Sequence, residues 1–245
     1  LSKLSEQFLK GWVPEDGGGI PWRKQDQFFN APANGPAAIF LARHDRLRRA
    51  QQMAEWIDET LIDPDTHLVF DGINGGSLVR AQYTYCQGVV LGLETELAAR
   101  TEDDDHAKRV HRLVAAVQEH MAPGGVIKGA GGGDGGLFNG ILARYLALVA
   151  TTLPQRGLDD AAARDAARSL VLKSAEAVWD NRQTVDGLPL FSAFWDRTAQ
   201  IPTAAGAQAQ FVEGAVNASE VPERDLSVQL SGWMLMEAAH AVTDA

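Results

Sequence analysis

Residues 17–43 read GGGIPWRKQDQFFNAPANGPAAIFLAR. A glycine-rich loop leads to a Trp–Arg pair, Trp22 and Arg23, and then to Asn30 and Asn34. The apolar run Pro36–Ala42 follows, with the composition of a helix buried on all sides. Asparagines four apart share one helix face, so their amides can converge on one ligand. Glycines let the backbone come close to such a ligand. By itself the stretch reads better as an ordinary loop in which Asn30 or Asn34 caps a helix. Its weight comes from recurrence, because the same loop-then-apolar-helix order returns down the chain.

Arg80–Ala99 is a mostly apolar helix, interrupted early by Cys86 and Gln87. Gly124–Gly136 is a second glycine-rich loop, and the apolar helix Leu137–Leu153 follows it. Asp225–Val242 is the last apolar helix and carries Gln229 and Trp233. Between these lie amphipathic helices: Leu1–Trp12, Arg46–Leu61, His106–Met121 and Leu158–Asp180. The run Asp103–Asp105 suits the positive start of the third of these. Residues 61–73 carry Pro–Asp turn chemistry and read as a hairpin or turn. Residues 188–224 read as one long irregular segment. Eight helices that alternate amphipathic and apolar predict an all-α fold in two layers, an inner ring wrapped by an outer one. The loops entering the inner helices would then open on one rim, where a site belongs.

Composition bounds the function. The 245 residues carry a net charge of −10, which argues against nucleic acid or an anionic membrane surface as partner. A single cysteine, Cys86, excludes an internal disulfide and suits a reducing compartment, so a cytoplasmic location is expected. No apolar run reaches the length of a membrane span. The chain opens on Leu1 rather than Met, so natural residues are expected upstream. The six histidines do not cluster at metal-ligand spacing, and no metal or cofactor is expected. The glycine run 131–136 matches a dinucleotide fingerprint only trivially, with no strand before it. The sequon Asn217-Ala218-Ser219 would matter only in a secretory route.

Polar groups set among apolar or glycine-rich residues are the remaining candidates: Trp22, Arg23, Asn30, Asn34, Tyr83, Tyr85, Gln87, Asp134 and Gln229, with Asp225 beside the last. Aromatic faces with amides and carboxylates suit a polyhydroxylated ligand such as a sugar. For each aromatic the competing role is core packing, and for Gln229 a satisfied core amide.

Four segments, FFNAPANGPAAIFLAR (28–43), YTYCQGVVLGL (83–93), GGGDGGLFNGILARYLA (131–147) and DLSVQLSGWML (225–235), resemble in this order glycoside hydrolase family 76, best known for endo-α-1,6-mannanases. The resemblance spans nearly the whole chain. It implies an (α/α) barrel of six helical hairpins, of which about four are present here. It also implies a retaining two-carboxylate hydrolase of α-mannan or mannooligosaccharides. Phe29 stands where the family usually has Lys, and Cys86 where it has Asn. The family's adjacent aspartate pair has no counterpart between Leu1 and Phe29. The expectation is therefore one barrel domain over residues 1–245, incomplete at its amino end. That chain would be inactive alone and would self-associate through the open edge of its barrel. Two other readings remain: a carbohydrate-binding or scaffold protein without catalysis, and another (α/α)-barrel sugar enzyme, such as an epimerase or unsaturated-glycan hydrolase. An upstream aspartate pair would separate the first of these, and product analysis the second.

Overall fold

The computed structural model describes residues 1–13, 18–129 and 131–243. Gly17, in the opening loop, and Ala130, in the second glycine-rich loop, lie outside the described residues. Eight α-helices are seen there: α1 (Ser2–Gly11), α2 (Ala31–Arg43), α3 (Leu47–Thr60), α4 (Thr84–Arg100), α5 (Asp104–Ala116), α6 (Phe138–Thr152), α7 (Leu158–Asp180) and α8 (Leu226–Thr243). The even-numbered helices pack side by side in chain order, α2 on α4, α4 on α6 and α6 on α8. The odd-numbered helices form the outer layer, α3 against α2, α5 against α4 and α7 against α6 and α8. The architecture is that of an (α/α) barrel. Among the described residues no helix is long and apolar enough to cross a membrane.

Composition explains the layering. Almost every residue of α4 from Cys86 to Ala98 is buried, so all sides of that helix face protein. Leu91 and Leu93 of α4 and Leu142 and Leu146 of α6 are fully buried, each contributing about 1.5–3 kcal/mol. Two glycines let these helices approach closely. A Cβ on Gly88 would sit 2.9 Å from Leu142 Cα, and one on Gly140 would sit 2.7 Å from Ser231 Cα.

The inner helices begin at one end, where the long loops gather into a rim. Short connections at the far end lead into the outer helices. Three antiparallel hairpin connections decorate the rim: β2 (Gly72–Asn74) to β3 (Ser77–Val79), β4 (Gln183–Val185) to β5 (Leu188–Leu190), and β6 (Gln210–Val212) to β7 (Ala215–Asn217). Each turns on two residues with positive φ: Gly75 and Gly76, Asp186 and Gly187, Glu213 and Gly214. Their mirror-image twist matches that of the strands. β1 (Phe28–Asn30) pairs with β2 to complete a three-stranded sheet beside α2.

Three sequence expectations are thereby corrected. Residues 188–224 are not irregular throughout, since β5 pairs back onto β4 and β6 onto β7. α4 starts at Thr84 rather than Arg80, because Ala81 accepts the Asp71 N–H at 2.7 Å and stays extended. The amphipathic helix expected to reach Met121 turns into a π-helix at Val117–Met121.

The two edges of the inner row differ. On α2 the run Ala37, Ala38, Ile39, Leu41 and Ala42 is buried, and Phe40 meets Phe8 of α1 edge-on at 5.4 Å. On α8 the stripe Leu226, Leu230 and Trp233 lies exposed. A basin of about 540 Å³ adjoins it, lined among others by Arg43, Arg144, Tyr145, Trp233 and Glu237.

Candidate functional site

The amides expected to face a ligand are spent on loop backbone. Asn34 is fully buried; its Oδ1 accepts the Ile20 N–H at 2.7 Å, and its Nδ2 donates to the carbonyls of Ile20 and Asn30, both at 2.9 Å. Gln87, also fully buried, accepts the Val69 N–H at 2.7 Å and donates to the carbonyls of Val69 and Tyr83. Gln229 accepts the Phe191 N–H at 2.9 Å and donates to the carbonyls of Phe191 and Glu223. Each stands in the first turn of an inner helix and grips both backbone groups of one loop residue, as a neighbouring strand would. The reason is a physical need. A loop residue that dives against a buried helix must pair its N–H and C=O somewhere. Asn30 caps α2 by accepting the Ala33 N–H at 3.0 Å.

The same rule, a polar side chain inside an apolar run, also marks Asn139, which sequence reading passed over. It accepts a hydrogen bond from Thr84 Oγ1 at 2.8 Å and donates to the Lys128 carbonyl at 2.8 Å, tying α4, α6 and the glycine-rich loop together.

Above these latches lie groups with capacity to spare. Tyr83 and Tyr85 stack with ring centroids 5.7 Å apart and 23° between planes, and Phe138 of α6 closes on Tyr85 at 4.2 Å. Tyr83 is 42% exposed and Trp22 is 50% exposed. Arg23, largely solvated, pairs locally with Asp26 at 2.9 Å, an exposed contact worth little.

Beneath the tyrosines sits Asp71, buried, with the Tyr85 hydroxyl donating to it at 3.3 Å and the Cys86 thiol at 3.7 Å. Both are neutral and distant. Burial therefore outweighs them and holds the Asp71 carboxyl above the usual carboxylate range. Burial and the nearby Asp71 carboxylate likewise push the Cys86 thiol far up, so it is a proton donor and not a nucleophile. Sequence reading left Asp71 in a turn; the available signal was an acid closing the apolar run Leu68–Phe70.

Asp134 lies on a 3₁₀ turn (Gly133–Leu137) that enters α6. It is exposed and has a structural duty that the sequence did not reveal: its Oδ2 accepts the Val216 N–H of β7 at 3.0 Å. Asp225, buried, takes the N–H groups of Gly133 at 2.7 Å and Ser219 at 3.1 Å. The structure thus brings Tyr83 and Tyr85 together with Asp71 and Phe138. It joins Asn30 to Asn34 beneath the Trp22 loop, and it seats Asp134 and Gln229 on the α6–α8 side of the rim. Among the described residues no group of three or more His, Cys, Asp or Glu side chains could hold a metal ion. Aromatic faces beside a buried acid that makes no ion pair among the described residues are chemically suited to binding a polyol.

Comparison with known proteins agrees with that chemistry. The α-1,6-mannanase of Salegentibacter sp. HEL1_6 superposes with a TM-score of 0.78 at 31% identity, over 98% of this chain and 68% of that one. An inactive variant of that enzyme, with two adjacent aspartates replaced by asparagine, superposes with a TM-score of 0.77 at 30% identity and the same coverage; it was solved with α-1,6-mannotriose. A protein of Listeria innocua follows with a TM-score of 0.75 at 25% identity, over 98% of this chain and 64% of that one. No curated protein sequence matches the chain. The sequence profile of glycosyl hydrolase family 76 matches residues 2–231, and the chain belongs to that family.

Proposed function

We propose that the chain is the glycan-holding side of a hydrolase acting on α-1,6-linked mannan-type glycans. The observation that carries this reading is the likeness, at 31% identity over 98% of the chain, to an α-1,6-mannanase. The rim supplies suitable chemistry. Tyr83, Tyr85 and Trp22 offer faces to the C–H side of a sugar, and Asp71, whose Oδ1 carries the contacts to Tyr85 and Cys86, offers its other oxygen to hydroxyl groups. Asp134 adds a second acceptor on the opposite side, through the oxygen that does not hold Val216.

The reaction we propose is retaining hydrolysis, in which one carboxylate forms a glycosyl–enzyme bond and a second acts as acid and then base. We assign that pair to residues upstream of Leu1. Adjacent aspartates occur here only at 103–105 and 159–160. They begin the outer helices α5 and α7, at the end of the molecule away from the rim. Residues 1–245 would then be one part of a barrel domain. Further hairpins would cover the α8 stripe of Leu226, Leu230 and Trp233, which in the isolated chain would drive self-association.

The test is NMR of α-1,6-mannotetraose mixed with the chain. Broadened sugar resonances with no new reducing ends are expected. New reducing ends would overturn the placement of the carboxylates, and neither broadening nor cleavage would overturn the substrate class.

A further inference from the structure

The hairpin β6–β7 has no evident packing duty. All six of its strand residues are exposed, and Phe211, 74% exposed, is the most exposed aromatic side chain described. Val212 and Val216 add to the apolar surface, with Phe211 directly across the ladder from Val216. Such a patch costs solubility unless it is used.

The hairpin is also held firmly at its base. Asp134 accepts the Val216 N–H at 3.0 Å. Asp225 joins Gly133 to Ser219, and Ser219 Oγ in turn accepts the Ala209 N–H at 2.8 Å. The Glu220 N–H donates to the Ala207 carbonyl at 2.9 Å, closing the loop behind it. Gly133, at φ +59°, lies so close to the Val216 carbonyl that any Cβ there would collide with it. An exposed aromatic ring on a fixed mount is the form that binding anchors take, because little conformational freedom is lost when a ligand arrives.

The mount stands on the same rim as Tyr83, between the loop entering α6 and the start of α8. Gly133 and Asp134 of the 3₁₀ turn hold the hairpin, and the residue just past that turn is Phe138, which packs on Tyr83 and Tyr85. Asp134, bound to Val216, and Glu213, in the hairpin turn, give this part of the rim negative charge, which favours a neutral polyol and disfavours an anionic polymer.

We infer that Phe211 is a stacking platform for an outer sugar unit of a long glycan, reached only when the chain of sugars extends beyond the Tyr83–Tyr85–Phe138 cluster. This rests on the proposed glycan-holding role. The test is calorimetric titration of the wild-type chain and Phe211→Ala with α-1,6-mannotriose and α-1,6-mannohexaose, and with β-1,4-linked hexasaccharides of glucose and mannose. Circular dichroism should confirm that the exposed substitution leaves the fold intact. The expected result is a loss of about fivefold for mannohexaose, the scale of one aromatic stack, with mannotriose unchanged and Phe211→Trp restoring affinity. Wild-type binding of mannohexaose that Phe211→Ala leaves unchanged would overturn the platform while the substrate class stands. A loss confined to a β-linked hexasaccharide, with no α-mannoside bound, would support the platform and overturn the substrate class. Absence of binding to every glycan would overturn both.

Discussion

Buried acids at the two ends of the inner helices are treated differently. Away from the rim each has strong partners. Glu96 meets Arg43 at 2.5 Å and Arg100 at 3.0 Å. Glu94 meets His106 at 2.6 Å and Arg109 at 3.5 Å. Asp160 takes His111 at 2.8 Å and the Arg156 N–H at 2.8 Å. At the rim Asp71 is just as buried yet has only a phenol and a thiol at 3.3 and 3.7 Å. One end spends its polar groups on holding helices together. At the rim Asp225 and Glu223 hold loop backbone, whereas Asp71 makes no ion pair among the described residues, an arrangement that lowers stability and suits the proposed ligand site.

Substitutions at the two ends should therefore separate. The largest effect is expected at the structural end. Glu94→Ala leaves His106 and one arm of Arg109 without an acceptor in a dry interface, a loss of about 3–5 kcal/mol. Chemical denaturation should show the midpoint falling, with glycan affinity unchanged in whatever fraction remains folded. Next is the latch beneath the rim. Gln87→Ala strands the Val69 N–H and carbonyl and should cost about 2–4 kcal/mol. It should also loosen the loop carrying Asp71, read as faster amide exchange at residues 68–72.

Asp71 reverses the sign. Its carboxyl titrates above the ordinary range in the folded chain, so ionisation penalises folding. The penalty is full above the folded value and fades as pH falls towards about 4, where the unfolded carboxyl is protonated too. Asp71→Asn should therefore raise the melting temperature at pH 7, with the gain shrinking by pH 4, while weakening glycan binding by about 1–3 kcal/mol. A variant less stable at pH 7 would erase the contrast between the ends. The smallest effect on stability belongs to Trp22→Ala, within about 0.5 kcal/mol because the ring is half exposed. Its affinity loss should be about 0.5–1.5 kcal/mol.

The fold was largely legible because burial period and composition vary together. α7 was read with its observed limits, Leu158–Asp180, and the alternation of apolar with amphipathic helices did predict two layers. α2 begins at Ala31 rather than Pro36. Asn30 caps it there, and Pro32 sits in the first turn, where a missing N–H costs nothing. The turn signal at Asp186–Gly187 lies just before the segment read as irregular, which therefore absorbed β5 without its partner β4.

The site was legible only in part. An amide in an apolar run announces that something polar must be met, but not whether that is a ligand or a diving loop. Asn34, Gln87 and Gln229 all met loops. Asp71 offered only the faint signal of an acid closing an apolar run, because its meeting with Tyr85 and Cys86 is made by tertiary packing.

The most direct measurement is a calorimetric titration of the 245-residue chain with α-1,6-mannotriose, beside an equal titration with a β-1,4-linked mannotriose. A saturable one-to-one isotherm for the α-1,6 trisaccharide, with no heat from its isomer, is the expected result. Equal binding of both, or none by a chain that unfolds cooperatively, would contradict a rim built for α-1,6-linked mannose.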